Sequence, residues 1–142
     1  MEAKIVAPGD GELLKFEDWA AVIKIAAEES DGTVTVLETR HDPGNGASAH
    51  IHSRESEIFV VMEGRVTFQV GDASHEVEAG GIVFGPMGTI HGFEVGPTGG
   101  RLLHVFVPSG MEGYFRDQHD AAAAGDADYI AIRRQYGVTT TG

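Results

Sequence analysis

The sequence predicts an all-β fold, a sandwich or barrel of short strands, finished by C-terminal helices. Three observations predict it. Short runs rich in Val, Ile, Thr and Phe follow one another at near-regular spacing. Most of the 20 glycines fall between those runs, where tight turns need them. From about residue 109 the pattern changes, with an alanine run at Ala121–Ala124 and a helical arrangement of apolar residues. A length of 142 residues suits one domain with its own core, spanning 1–142. Its barrel would occupy about 30–108 and its helical tail about 109–136.

Leu13-Leu14-Lys15-Phe16 has the form of a short strand. Ala20–Ala27 fits a helix or a strand, and the β-branched Val22, Ile23 and Ile25 tip it to strand. Ser30-Asp31-Gly32 is a turn, and Thr33–Arg40 alternates polar and apolar as a half-buried strand does. Asp42–Gly46 is a turn cluster. Ile58–Met62 is a strand, Glu63-Gly64 a turn, and Arg65–Val70 a strand with Val66, Phe68 and Val70 on one face. Gly71-Asp72 turns the chain into Ser74–Ala79, polar enough for a sheet edge. Gly81–Phe84, Thr89–Val95 and Arg101–Val107 complete the strands, with Gly96–Gly100 as the last turn.

In the tail, Ser109 and Glu112 have capping-box spacing ahead of Tyr114 and Phe115. Gly125 would end that helix. Asp126 would cap a second one carrying Tyr129, Ile130, Ile132 and Arg133, stopped near Gly137. Both helices would cover the barrel or a subunit contact.

Composition excludes several functions. A formal charge of −12, with Arg133-Arg134 the only adjacent basic pair, argues against nucleic acid as a partner. No apolar run is long enough to span a bilayer, so no membrane association is expected. The N-terminus has too short an apolar core for a secretory signal, and cysteine is absent. Cysteine's absence removes disulfides and thiolate metal sites together, and a cytoplasmic location is expected.

The chemistry lies between Gly44 and Gly64. His50 and His52 are two apart, so on a strand they share a face and can share an ion. Glu57 has the wrong parity for that face, so the chain must bend at Ser53–Ser56 before Glu57 opens the next strand with Phe59 and Val61. A third histidine, His91, lies in a second glycine-framed stretch and shares a face with Thr89 and Phe93. An isolated His-x-His is usually surface decoration, and the joint pattern is what points to a metal. Three neutral imidazoles and one carboxylate suit a divalent first-row ion: iron, manganese, nickel, zinc, cobalt or copper. Four protein donors on an octahedral ion leave two cis positions open. A centre of net charge near +1 favours an enolate or phenolate over a neutral ligand.

At these residues the chain resembles the cupin superfamily. Its first motif, Gly-x5-His-x-His-x4-Glu-x6-Gly, is met by Gly44, His50, His52, Glu57 and Gly64. Its second, Gly-x5-Pro-x-Gly-x2-His-x3-Asn, is met by Gly80, Pro86, Gly88 and His91, with Val95 in place of the asparagine. The resemblance implies a double-stranded β-helix, the jelly-roll barrel, with one metal near its centre. Within the superfamily, Glu57–Gly64 and Val107–Phe115 look most like the small quercetinase-like cupins. That implies ring-opening dioxygenation of a hydroxy-enone, with Glu57 a ligand or the base that deprotonates substrate. Small cupins of similar appearance are polyketide cyclases, isomerases or lyases, and a ligand-binding cupin without turnover is a further reading.

His104, between Leu102 and Phe106, reads as a core histidine with a backbone partner, or else a substrate-facing acid or base. Phe59 and Phe93 share faces with metal ligands and join it as candidate substrate-pocket residues. His41 and His75 read as solvated, and Phe68, Phe84 and Trp19 have no tie to the site. Ile58–Met62 is apolar on both faces, so its outer face needs the other sheet or a second subunit, and a homodimer is expected.

Overall fold

The computed structural model describes residues 1–125 and 128–140. Among the described residues there are nine strands: β1 (Glu12–Lys15), β2 (Trp19–Ile25), β3 (Thr35–His41), β4 (Gly46–His52), β5 (Ser56–Val70), β6 (Ala73–Glu78), β7 (Ile82–Gly85), β8 (His91–Val107) and β9 (Val138–Thr140). Two helices, α1 (Met111–Ala124) and α2 (Tyr129–Gln135), lie between β8 and β9. The all-β double-stranded β-helix with C-terminal helices is therefore the observed fold.

Its organising feature is a pair of long strands. The first half of β5 pairs with the second half of β8, Ser56↔Val107 through Val61↔Leu102. The second half of β5 pairs with the first half of β8, Val66↔Val95 through Val70↔His91. On one side the ladder continues to β3, β2 and β1, and on the other to β4 and β9. β7 and β6 complete the two sheets by pairing with the two halves of β5.

Two expected turns are therefore absent. Glu63-Gly64 and Gly96–Gly100 lie inside continuous strands that bend together, with register shifts at Val61/Glu63 and Gly64/Val66. The bends are bulges, which let one strand cross from one sheet to the other without breaking its ladder. Gly64 makes the crossing possible. Its φ is 84°, and a Cβ there would run into the carbonyl oxygen of Gly99.

Phe59, Val61, Val66, Phe68, Val95 and Leu102 fill the space between the sheets. Each large side chain there contributes roughly 1.5–3 kcal/mol by burial. A second cluster, Leu37, Phe106, Met111 and Val138, joins the barrel to the tail through Tyr114, Phe115 and Tyr136. The tail thus packs on the open end of the barrel.

The start of α1 differs from expectation. Gly110, not Ser109, holds the N-cap position, with no side-chain cap. Glu112 is buried instead, accepting hydrogen bonds from the Ala27 N–H at 2.7 Å, the Gly110 N–H at 3.1 Å and the Thr35 hydroxyl. Burial would raise its carboxyl pKa, but these donors hold it below the usual range. Gly125 ends α1 in the left-handed conformation, as its position predicts. Asp126, the expected cap of α2, lies outside the described residues. Asp128 fills that role, accepting from the Ala131 N–H at 3.0 Å. No helix among the described residues is long and apolar enough to cross a membrane.

Candidate metal centre and aromatic cavity

β4 runs antiparallel to β8, which sets His50 opposite His91. His52 lies two residues along the same face, beside β9. The chain then bends at Ser53-Arg54, and Glu57 enters on β5 from the adjoining strand. The bend inferred from parity is therefore present. His52, Glu57 and His91 are buried, and His50 is half-buried at the cavity side.

Four donor atoms converge. His50 Nε2 lies 3.2 Å from His52 Nε2. Glu57 Oε1 lies 3.2 Å from His52 Nε2 and 3.1 Å from His91 Nε2. All four lie within 4.8 Å of one another. Bonds of ~2.0–2.1 Å at right angles to one ion put neighbouring donors ~3 Å apart, so the cluster is the right size.

The far sides of the rings supply a second argument. His50 Nδ1 meets the Ser48 carbonyl at 2.7 Å, and His91 Nδ1 meets the Thr89 carbonyl at 3.2 Å. His52 Nδ1 faces the Glu55 carboxylate at 3.4 Å. The two carbonyls fix the proton on Nδ1 of His50 and His91 and turn each Nε2 to the centre, whereas His52 Nδ1 and Glu55 Oε1 are buried and meet only as a loose ion pair. Three ring nitrogens and a carboxylate aimed at one point present four donor atoms to a cation placed between them. The donor set fits a divalent ion.

Without an ion the histidines carry different charges. Burial pushes His50 down to about 4, so it is neutral. Burial also acts downward on His52, but the Glu55 and Glu57 carboxylates outweigh it and hold the imidazolium up to about 9. Burial would raise Glu57, yet His104, His52 and His91 keep its carboxyl well below the usual range.

Behind Glu57 runs a buried chain of polar side chains. Glu57 Oε2 accepts from His104 Nδ1 at 2.7 Å, and His104 Nε2 meets Thr39 Oγ1 at 2.8 Å. Thr39 Oγ1 also meets His41 Nε2 at 2.8 Å, and His41 Nδ1 pairs with the Asn45 amide at 2.6 Å. His104 therefore has side-chain rather than backbone partners. His41 is buried, not solvated: it stacks parallel to Trp19, and burial pushes it down to about 4. The reason lies in β3, whose Thr35, Leu37, Thr39 and His41 face inward while Val36 is half-buried outside. The alternation was visible in the sequence; the polar phase facing the interior was not. His75 is exposed, as expected.

Glu57, His104, Thr39 and His41 line one side of a cavity of about 260 Å³. Phe59, Phe93 and His104 all border it, as do Trp19, Phe106 and Phe115. Trp19 thus has the tie to the site that its sequence position concealed. Glu55, Thr39 and His41 were also missed. Glu55, three residues from His52 inside the required bend, was the one with a readable signal. The tail closes the cavity with Met111, Tyr114, Gln118, Arg133 and Val138.

A profile for the cupin domain matches residues 37–111, more than half of the chain. The chain belongs to the cupin family. This cupin is 24% identical over 116 residues to a quercetin 2,3-dioxygenase of Bacillus subtilis (strain 168). That match takes in 82% of the chain and 34% of the relative, so the cupin spans about a third of that protein's length. It is 25% identical to the polyketide cyclase RemF from Streptomyces resistomycificus, with a TM-score of 0.64 over 76% of this chain and 81% of that one. KdgF from Halomonas sp. matches at a TM-score of 0.70 and 15% identity, over 79% and 99% of the two chains. That likeness shows the shared fold.

Proposed function

We propose that this cupin is an enzyme that holds one divalent transition metal on His50, His52, His91 and Glu57. Its leading reaction is dioxygenation of a small, enolisable aromatic molecule. The observation that carries this reading is the convergence of three imidazole Nε2 atoms and one carboxylate at the wall of an aromatic cavity. The similarity to a quercetin 2,3-dioxygenase supports the choice of reaction. The cavity, about 260 Å³, falls below the ~300–1,000 Å³ usual for drug-sized ligands. One- or two-ring substrates fit it best.

The bound ion supplies Lewis acidity toward a substrate oxygen and, for a redox-active metal, a site for dioxygen. The chain's own groups do the rest. Phe59, Phe93 and Trp19 offer flat apolar walls that hold an aromatic ring and exclude water. The substrate hydroxyl loses its proton to the Glu57–His104 pair, whose Oε2···Nδ1 separation is 2.7 Å. Thr39 and His41 continue that chain to Asn45 and keep the His104 ring oriented.

A second reading, a metal-dependent cyclase or isomerase without redox chemistry, is favoured by one observation. The polyketide cyclase matches over 81% of its length, against 34% for the dioxygenase. A third, ligand binding without turnover, leaves the complete donor set unexplained. Oxygen-electrode assays of the iron, manganese, nickel and zinc forms on hydroxylated one- and two-ring enones test the choice. Oxygen uptake stoichiometric with product is expected, and full turnover of the zinc form without oxygen would overturn the dioxygenase reading.

The working unit we propose is a homodimer. Ile58 and Val60 point out of the barrel beside Phe84 and Ile82, which are 57% and 67% exposed. A second copy covering this face would remove that apolar surface from water.

A further inference from the structure

We infer that the wall the tail gives to the cavity is an anion site in which Arg133 receives a carboxylate, so that the substrate is a compact aromatic acid whose metal-binding oxygen is a separate group on the ring. The inference rests on the proposed metal centre for the second half of that description. In a chain with 22 acidic and 10 basic residues, an unpaired guanidinium is unexpected. Arg54 gives its Nη1–H to the Gln135 carbonyl at 2.7 Å, and Arg40, Arg65, Arg101 and Arg116 each have a carboxylate partner. Arg133 borders the cavity with none among the described residues. Its neighbour Arg134, exposed on the same last turn of α2, already complements the helix dipole.

Tyr114 and Gln118 share this wall with Arg133. Gln118 gives its Nε2–H to the Tyr114 hydroxyl at 3.2 Å. Arg133 also lies beside that hydroxyl and acts against the rise that burial causes in its pKa. With its oxygen accepting, the Tyr114 O–H has its own hydrogen left to give. A guanidinium and a phenol side by side in a cavity with aromatic walls match a planar carboxylate on an aromatic ring.

The test is isothermal titration calorimetry with a hydroxynaphthoate, its hydroxyl and carboxylate at opposite ends of the ring pair, against its methyl ester. Wild-type protein should bind the acid at least ~10-fold more tightly, the worth of one charge-assisted hydrogen bond. Arg133→Gln should bring the two within about twofold, and Arg133→Lys should keep part of the preference because the charge remains. Equal affinities in the wild type, an unchanged preference in Arg133→Gln, or no binding of either compound would overturn the inference. Repeating the titration on chelator-stripped protein separates it from the metal reading. The preference for acid over ester should survive stripping, and its loss would mean the metal end selects the carboxylate. Protein that carries metal yet shows no preference sinks this inference alone, whereas a preference in protein that never takes up metal sinks only the metal centre.

Discussion

Metal uptake by this cupin should release close to one proton at neutral pH, and the proton comes from His52. The ligand cluster must present neutral imidazoles to an ion. His50 is already neutral, pushed down to about 4, while His52 is held protonated up to about 9 by Glu55 and Glu57. At pH 7 the site is two units below that value, so apparent affinity should be ~100-fold weaker than its high-pH limit, about 2.7 kcal/mol. Affinity should therefore rise tenfold per pH unit from about 6 to 9 and level off above. Calorimetry with zinc in two buffers of different ionisation enthalpy counts the protons directly. Glu55→Gln removes the nearer carboxylate from Nδ1 and should reduce the count below one at pH 7.5. Zero or two protons released by the wild type would refute the assignment of charge within the cluster.

Three further outcomes follow from the same structure. The metal-free protein should be most stable near pH 6.5. His41 is held neutral, down to about 4, so its contribution is present above 6.5 and about 3 kcal/mol is lost as pH falls toward 4. His52 is raised, so its contribution is complete below 6.5 and is lost as pH rises through about 9; urea titrations across that range check both limbs, and a curve flat between 6.5 and 9 contradicts the His52 limb. Gly64→Ala should cost more than about 2 kcal/mol in the same assay, because left-handed backbone and a collision with the Gly99 carbonyl act together; a loss below 0.5 kcal/mol would remove the bulge from the account. Phe84→Glu should convert a dimer to a monomer by light scattering at micromolar concentration, and a wild-type protein already monomeric there would remove the proposed interface.

The sequence carried the site better than the path of the strands. His50, His52, Glu57 and His91 could be grouped because strand parity and a forced bend leave few ways to aim them together. The two sheet crossings were hidden because Glu63-Gly64 and Gly96–Gly100 have turn composition, and only pairing of both strands through their bends distinguishes a bulge from a hairpin. On β3, alternation predicts a strand but not which phase faces in. Thr39 and His41 went inward because each finds a hydrogen-bond partner there, a tertiary fact absent from local pattern. β9 was missed for a similar reason: Val138–Thr140 is three residues long and becomes a strand only by pairing with His50–His52. Arg133 read as part of a basic pair, and only the packing of α2 on the cavity sets it apart from Arg134.

If His50, His52, Glu57 and His91 hold one metal ion, the purified protein should carry it. Elemental analysis of the protein purified without added metal, beside His50→Ala and Glu57→Ala variants checked for folding by circular dichroism, tests it most directly. Close to one transition-metal ion per wild-type chain is expected, with a strong loss in both folded variants. A wild-type protein that carries no metal, and takes up none when offered iron, manganese, nickel, cobalt, copper or zinc, would contradict it.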